Sequence, residues 1–174
     1  MGVLRVPDRP LGPKLALAAL NLTAAVLFFA RSRAVTEPTL RGLASAIPSM
    51  ILGGAAVKLT AHWSVAGQIV FCAGAAFAAL SLATLGRSFS FFPARRDIVV
   101  RGPYRWVRHP AYLGELVMGI GCAIALPWPN ALLVGLAAAS LALRIGAEER
   151  LLREDEIYVA YMEKVRYRLV PFVY

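Results

Sequence analysis

The sequence predicts an all-α fold: an integral membrane helical bundle of about five transmembrane helices that closes with a C-terminal helical hairpin. Composition is the first reason. Hydrophobic residues make up 59% of the 174 residues and charged residues 17%, with a mean hydropathy of +0.62, so polar side chains are too few to cover a soluble domain. Charge placement is the second. A net charge of +9 would suit nucleic acid if it formed a soluble basic face. Here the cations flank apolar runs, where positive charge orients membrane spans. That pattern argues for membrane lipids as partners and against nucleic acid. The length fits a single domain, residues 1–174.

Residues 1–14 carry Arg5, Arg9 and Lys14 among three prolines and read as an irregular basic lead-in. Leu15 to Ala30 is an uncharged apolar run. A basic region before it imitates a signal peptide, but Ala30-Arg31-Ser32 is a poor cleavage site and further apolar runs follow, so an uncleaved first span is expected. Arg31 to Arg41 is a polar connection. Leu43 to Val57, with Pro48, Gly53 and Gly54, reads as a kinked or partly buried span of the kind neighbouring helices make tolerable. His62 and Trp63 suit an interfacial turn. Val65 to Leu85 is the clearest span, long enough to cross about 30 Å of hydrocarbon. Its small residues Gly67, Ala73, Gly74 and Ala78 permit close helix packing. Cys72 and Cys122 lie inside apolar runs with no metal-ligand spacing, and packing explains them.

The loop from Gly86 to Pro110 holds six arginines and the cluster Phe89, Phe91 and Phe92. Headgroup contact accounts for Arg87, Arg95 and Arg96, and the phenylalanines suit a lipid entrance. Tyr112 to Leu126 and Ala131 to Ile145 are two shorter apolar helices around Pro127-Trp128-Pro129-Asn130. So tight a turn forces a hairpin, which returns the chain to the side it left. Residues 144–168 contain six Lys/Arg and six Asp/Glu, as in a solvated helix before the terminal RLVPFVY. Five spans put the two termini on opposite sides, and by the positive-inside rule the basic 86–110 loop supports an N-terminus outside and a C-terminus in the cytoplasm. The first three spans occupy residues 1–85; residues 86–174 hold the loop, the hairpin and the tail.

Two polar groups stand out. In RGPYRWVRHPAYLGE, Arg101 to Glu115, Pro110 suits a first helical position where its missing N–H costs nothing. That places His109 at the N-cap, with free N–H groups that favour a carboxylate or phosphate and with Arg108 reinforcing the preference. Gly114 permits close approach of a ligand or of another backbone. Glu115, near hydrocarbon, needs a partner. An interfacial anchor accounts for this stretch as well as a site does. The second group is Arg144, Glu148 and Glu149. Arg144 and Glu148 are four apart and can share a helix face, while Glu149 is turned about 100 degrees away and left for another partner. The hairpin brings both groups to one membrane surface, and two polar groups made adjacent by topology read as a ligand pocket. Carboxylates there can accept ribose hydroxyls, and arginine can hold a carboxylate or phosphate. Tyr104, Trp106, Tyr112, Tyr158 and Tyr161 can stack on a base or sit near a sulfonium. Neither a Rossmann GxGxxG nor a P-loop occurs.

At these residues the chain resembles a known family. GPYRWVRHPAYLGE, a helical hairpin, RIGAEERLL, Tyr161 and YRLVPF together are similar to the isoprenylcysteine carboxyl methyltransferases, to which the phospholipid methyltransferases are related. The resemblance covers roughly Leu85 to Phe172 and is closest to bacterial members. It implies a membrane-embedded methyltransferase, in a bacterial inner membrane, that uses S-adenosylmethionine and releases S-adenosylhomocysteine. Its cofactor pocket would face the cytoplasm. Carried over residue by residue, Arg108, His109, Pro110, Tyr112, Gly114, Glu148, Glu149, Tyr161 and Arg168 would bind the cofactor. Arg144 and Glu149 would stand nearest the chemistry, and no metal is implied. The acceptor would be lipophilic, reached through the bilayer, and of the isoprenylcysteine carboxylate type. The chain departs from eukaryotic members in having fewer spans and in reading REDEIYVAY where many carry Phe-Gly before the first tyrosine.

Two other readings remain. A sterol-reductase-like membrane enzyme using NADPH would share an Arg-His-Pro and a similar YRLxP tail, though the Glu148-Glu149 pair and the short chain favour the methyltransferase. A non-enzymatic membrane scaffold would tolerate loss of His109 or Glu149. Interhelical small residues are compatible with a monomer or a homodimer.

Overall fold

The computed structural model describes residues 10–30, 40–60, 62–88, 98–125 and 127–173. All regular structure among them is helical: α1 (Leu11–Ala30), α2 (Leu40–Leu59), α3 (Val65–Leu85), α4 (Pro110–Ala125), α5 (Pro127–Leu152) and α6 (Glu156–Lys164), with single 3-10 turns at Gly86–Ser88 and Gly102–Arg105. Leu11–Ala30, Val65–Leu85 and Ala131–Leu152 are long and apolar enough to cross a membrane, while Ala44–Leu59 and Pro110–Ile124 are shorter apolar helices. A helix rises about 1.5 Å per residue, so α4, at 16 residues, is shorter along its axis than α1 and α2 at 20 and α3 at 21. The outward faces of the long helices carry Leu22, Val26, Ile69, Leu80, Leu132 and Leu136 exposed, a surface that suits lipid and not water. The protein is an integral membrane protein.

Helix boundaries depart from the sequence reading at prolines. α1 begins at Leu11 with Pro13 in its first turn. α5 begins at Pro127, so the expected Pro-Trp-Pro-Asn turn is the first turn of a helix. Proline fixes φ near the helical value and lacks only an N–H that the first turn leaves unpaired anyway. α2 runs through Pro48 without a break. The largest difference is at the far end of α5, which continues through Arg144, Glu148 and Glu149 to Leu152. The charged group is thus the last part of a spanning helix, rigidly attached to it.

Glycines set the packing of α3 against α4. A Cβ on Gly74 would lie 2.6 Å from the Met118 backbone nitrogen, and one on Gly114 2.7 Å from that of Ala78. The two helices therefore cross backbone to backbone, as small residues permit. Gly67, Gly74 and Ala78 face this contact as expected; Ala73 lies on the exposed side, about one residue's turn from Gly74. Beside the crossing, Phe71, Ala75, Met118 and Cys122 form a buried cluster. Trp63 meets Phe71 edge-on, with centroids 5.0 Å apart. Cys122 is fully buried there, which bears out its packing role.

Phe89, Phe91, Phe92, Arg95 and Arg96 lie outside the described residues, as does most of the Arg31 to Arg41 connection. The rest of the long loop is pinned to the end of α3. Gly102 has φ +56°, and a Cβ there would sit 3.0 Å from the Thr84 methyl. That is one position where only glycine fits easily.

Candidate active site

Chain geometry places the Arg-His-Pro segment directly before α4. The His109 carbonyl accepts the Leu113 N–H at 3.2 Å, making His109 the N-cap and fully buried Pro110 the first helical residue. The C-terminal tail holds this segment from the other side: the Arg108 and His109 N–H groups donate to the Tyr167 and Arg168 carbonyls at 2.9 and 2.8 Å. The tail thus braces the segment through two consecutive main-chain hydrogen bonds.

Glu149 is the centre of the polar cluster. It is 1% exposed, and its Oε1 accepts from Arg108 Nε at 2.8 Å with His109 Nε2 at 3.3 Å. A carboxylate only accepts, so Nε2 carries the proton in this pairing. Oε2 accepts from Arg168 Nε at 3.0 Å, and Arg153 Nη2 is 3.6 Å away. Arg108 Nη1 in turn donates to the Val165 and Arg166 carbonyls at 2.8 and 2.9 Å. Buried charges are tolerated when they are paired and hydrogen-bonded, and here Nε and Nη1 of Arg108 and both carboxylate oxygens are engaged. The free partner expected for Glu149 is the Arg-His-Pro segment together with the tail.

A layered group lies next to it. The Tyr112 ring stacks on His109, 5.6 Å between centroids and 8° from parallel. The Arg144 guanidinium stands 4.8 Å from the centre of the same ring. The Tyr112 hydroxyl donates to Glu148 Oε2 at 2.8 Å, so Glu148 is oriented by α4 as well as by its own helix. Arg144 Nη1 approaches Ser49 Oγ of α2 at 3.5 Å, and the charge of Arg144 also acts on Glu115. From α6, the Tyr161 hydroxyl donates to the Tyr104 carbonyl at 2.7 Å. Burial pushes the phenols of Tyr104, Tyr158 and Tyr161 well up, with Glu148 raising Tyr104 further and Glu149 raising Tyr158 further. All three remain protonated donors at neutral pH.

A cavity of about 240 Å³ opens against these residues. Arg108, His109, Tyr112, Glu115, Arg144, Glu148 and Tyr161 line it, so the topology brings the two sequence-distant groups together as expected. Pro110, Gly114, Glu149 and Arg168 are not in the lining. Pro110 shapes the start of α4. Gly114 serves the crossing with α3, so the backbone alternative holds for it. Glu149 and Arg168 support Arg108 and His109 from behind. The lining also includes Asn21, Tyr104 and Tyr158, and Ser49 adjoins Arg144. Asn21 had a readable signal, a polar residue in the middle of an apolar run. Ser49, beside Pro48 in a weakly apolar helix, had none. The opposite wall is apolar, formed by Leu20 and Ala24 of α1, Met50 of α2 and Leu82 and Leu85 of α3. Among the described residues no group of three or more His, Cys, Asp or Glu is arranged to hold a metal ion.

The chain is 30% identical over 131 residues to proteins named "Probable protein-S-isoprenylcysteine O-methyltransferase" from Oryza sativa subsp. indica and subsp. japonica, covering 67% of this chain and 66% of each relative. It is 31% identical over 126 residues to "Protein-S-isoprenylcysteine O-methyltransferase A" of Arabidopsis thaliana, covering 66% and 64%. The chain thus spans just under two thirds of the length of these relatives. The model of the isoprenylcysteine carboxyl methyltransferase (ICMT) family matches residues 62–154, more than half of the chain, from the interfacial turn before α3 to the end of α5. By that match, which takes in the Arg-His-Pro segment, both helices of the hairpin and the Glu148-Glu149 pair, the chain belongs to the isoprenylcysteine carboxyl methyltransferase family.

Proposed function

We propose that this protein is a membrane methyltransferase that uses S-adenosylmethionine to methylate a lipophilic acceptor, a carboxylate of the isoprenylcysteine type. The observation that carries this reading is the two-sided cavity: charged and aromatic groups on α4, α5 and α6 face an apolar wall from α1, α2 and α3. A reaction between a charged, water-soluble donor and a lipid-soluble acceptor needs such a junction, and a purely polar or purely apolar cavity would serve only one of the two.

The residues present suit the donor. Glu115 and Glu148 supply carboxylates for a sulfonium and for ribose hydroxyls, and the surrounding tyrosine faces favour a cation. The first turn of α4 favours the donor's own carboxylate. When bound, S-adenosylmethionine supplies an electrophilic methyl group. Arg144, at the meeting of the polar and apolar sides, holds the acceptor carboxylate in line with it. That carboxylate is already ionised at neutral pH, so no side chain has to remove a proton. The remaining work is orientation and exclusion of water, supplied by the layered His109, Tyr112 and Arg144 and by the apolar wall. In this reading Glu149 is a positioning residue that fixes Arg108 and His109. The same reading puts the polar end of the cavity and the C-terminus at the cytoplasmic face, where a soluble donor can enter, with the acceptor arriving from the bilayer.

The test is transfer of labelled methyl from S-adenosylmethionine to a small S-prenylated cysteine derivative by the purified protein in lipid. Formation of a base-labile methyl ester supports the reading. Absence of transfer together with NADPH oxidation in the presence of an unsaturated lipid would replace it with the reductase alternative.

A further inference from the structure

Tyr158 is a cavity residue whose hydroxyl has no assigned task. It lies on α6, is 3% exposed, and lines the cavity. Its ring packs in a cluster with Tyr161 and Val165, against Ile98, Leu152 and Met162. Yet its hydroxyl is buried with no hydrogen-bond partner among the described residues. The neighbouring tyrosines differ in this respect: the Tyr112 hydroxyl is taken by Glu148 and that of Tyr161 by the Tyr104 carbonyl. Buried hydroxyls are nearly always paired, because an unmatched one forfeits its hydration for nothing.

We infer that the Tyr158 hydroxyl is a ligand-binding group, donating a hydrogen bond to the adenosine half of the molecule that the cavity takes up. The surroundings suit that half. The carboxylates of Glu149 and Glu148 add to the effect of burial in holding the Tyr158 phenol protonated, so the hydroxyl is a donor, and a purine ring nitrogen or a ribose oxygen is an acceptor that suits it. Tyr158 and Tyr161, tilted with 5.8 Å between ring centroids, both line the cavity, and an aromatic lining suits a purine. The inference rests on the proposed use of S-adenosylmethionine and adds a named residue and a named portion of the ligand.

The experiment measures binding of S-adenosylhomocysteine and of 5′-methylthioadenosine, which lacks the amino-acid portion, to wild type and to Tyr158→Phe in detergent. Thermal unfolding of both ligand-free proteins is recorded in parallel. The expected result is a loss of about tenfold in affinity for both ligands, one charge-free hydrogen bond's worth, with the ligand-free unfolding midpoint unchanged or higher because no existing bond is removed. Tyr161→Phe provides the contrast: it breaks a formed bond and lowers that midpoint. Unchanged affinity of Tyr158→Phe for S-adenosylhomocysteine overturns the inference. So does a lowered ligand-free midpoint, which would make the hydroxyl structural. A loss confined to S-adenosylhomocysteine overturns the assignment to the adenosine half. Failure of wild type to bind either ligand removes the proposed cofactor itself, and is thereby distinct from failure of Tyr158 alone.

Discussion

Arg108 and Glu149 are 41 positions apart in the chain and joined by a 2.8 Å hydrogen bond inside the protein. The first lies just before α4 and the second near the end of α5, so this bond closes the polar end of the hairpin. Because Glu149 also receives Arg168 from the tail, three segments meet at one carboxylate.

Glu149→Ala leaves buried Arg108 and half-exposed Arg168 without their carboxylate. Breaking one side of a buried pair costs about 3–5 kcal/mol, so a clear drop in the unfolding midpoint in detergent is expected. Loss of S-adenosylhomocysteine binding should accompany it, since Arg108 and His109 lose their fixed positions. Glu149→Gln, which keeps the shape and one acceptor, should show a smaller version of both effects.

Arg144→Ala should separate the two substrates. Under the proposed reading it removes the acceptor's charge partner and one layer over Tyr112, while Glu148 keeps the Tyr112 hydroxyl and His109 keeps Glu149. Methyl transfer should fall by about 100-fold or more, as expected for loss of a charged positioning group. S-adenosylhomocysteine affinity should change by only a few-fold. Equal losses in both would put Arg144 on the donor side.

Gly114→Ala tests the crossing of α3 and α4. The added Cβ would meet the Ala78 backbone nitrogen at 2.7 Å and the Gly74 carbonyl at 2.8 Å, and backbone cannot step aside as a side-chain tip can. Overpacking of this kind costs about 1–3 kcal/mol, readable as a lowered unfolding midpoint. Gly135→Ala, with open space around the added atom, is the control that should be neutral or slightly stabilising.

The buried phenols give a pH dependence. Tyr104, Tyr158 and Tyr161 ionise above their ordinary value of 10.0 because burial disfavours the phenolate. Above about pH 10 the unfolded chain loses those protons while the folded protein retains them, so stability is full below that pH and falls as pH rises past it. Tyrosinate absorbance should therefore lag that of free tyrosine and then rise together with unfolding. A titration that follows free tyrosine would contradict the burial.

Much of this was legible in the chain. Long apolar runs and flanking arginines identify α1, α3 and α5 because lipid leaves a helix few alternatives. Pro110 marks the start of α4, since proline is favoured only at a helix's first turn, and the 100 degree offset between Glu148 and Glu149 anticipates their separate partners. What was hidden depends on tertiary contact. Nothing local tells that Gly114 faces α3 or that Ser49 meets Arg144, 95 positions away. The exact start of α5 was obscured because Pro-Trp-Pro reads as a turn and also as a legitimate first helical turn. Tyr158 was visible as an aromatic, but its unmatched hydroxyl appears only once α6 is folded against the loop.

The central claim is that the hairpin and tail build one pocket for an adenosine-containing methyl donor. Calorimetric titration of S-adenosylhomocysteine, and separately NADPH, into wild-type protein in detergent tests it most directly. The account predicts saturable binding of the first, with one site per chain, and none of the second. Binding of NADPH alone, or of neither ligand by protein shown to unfold cooperatively, would contradict it.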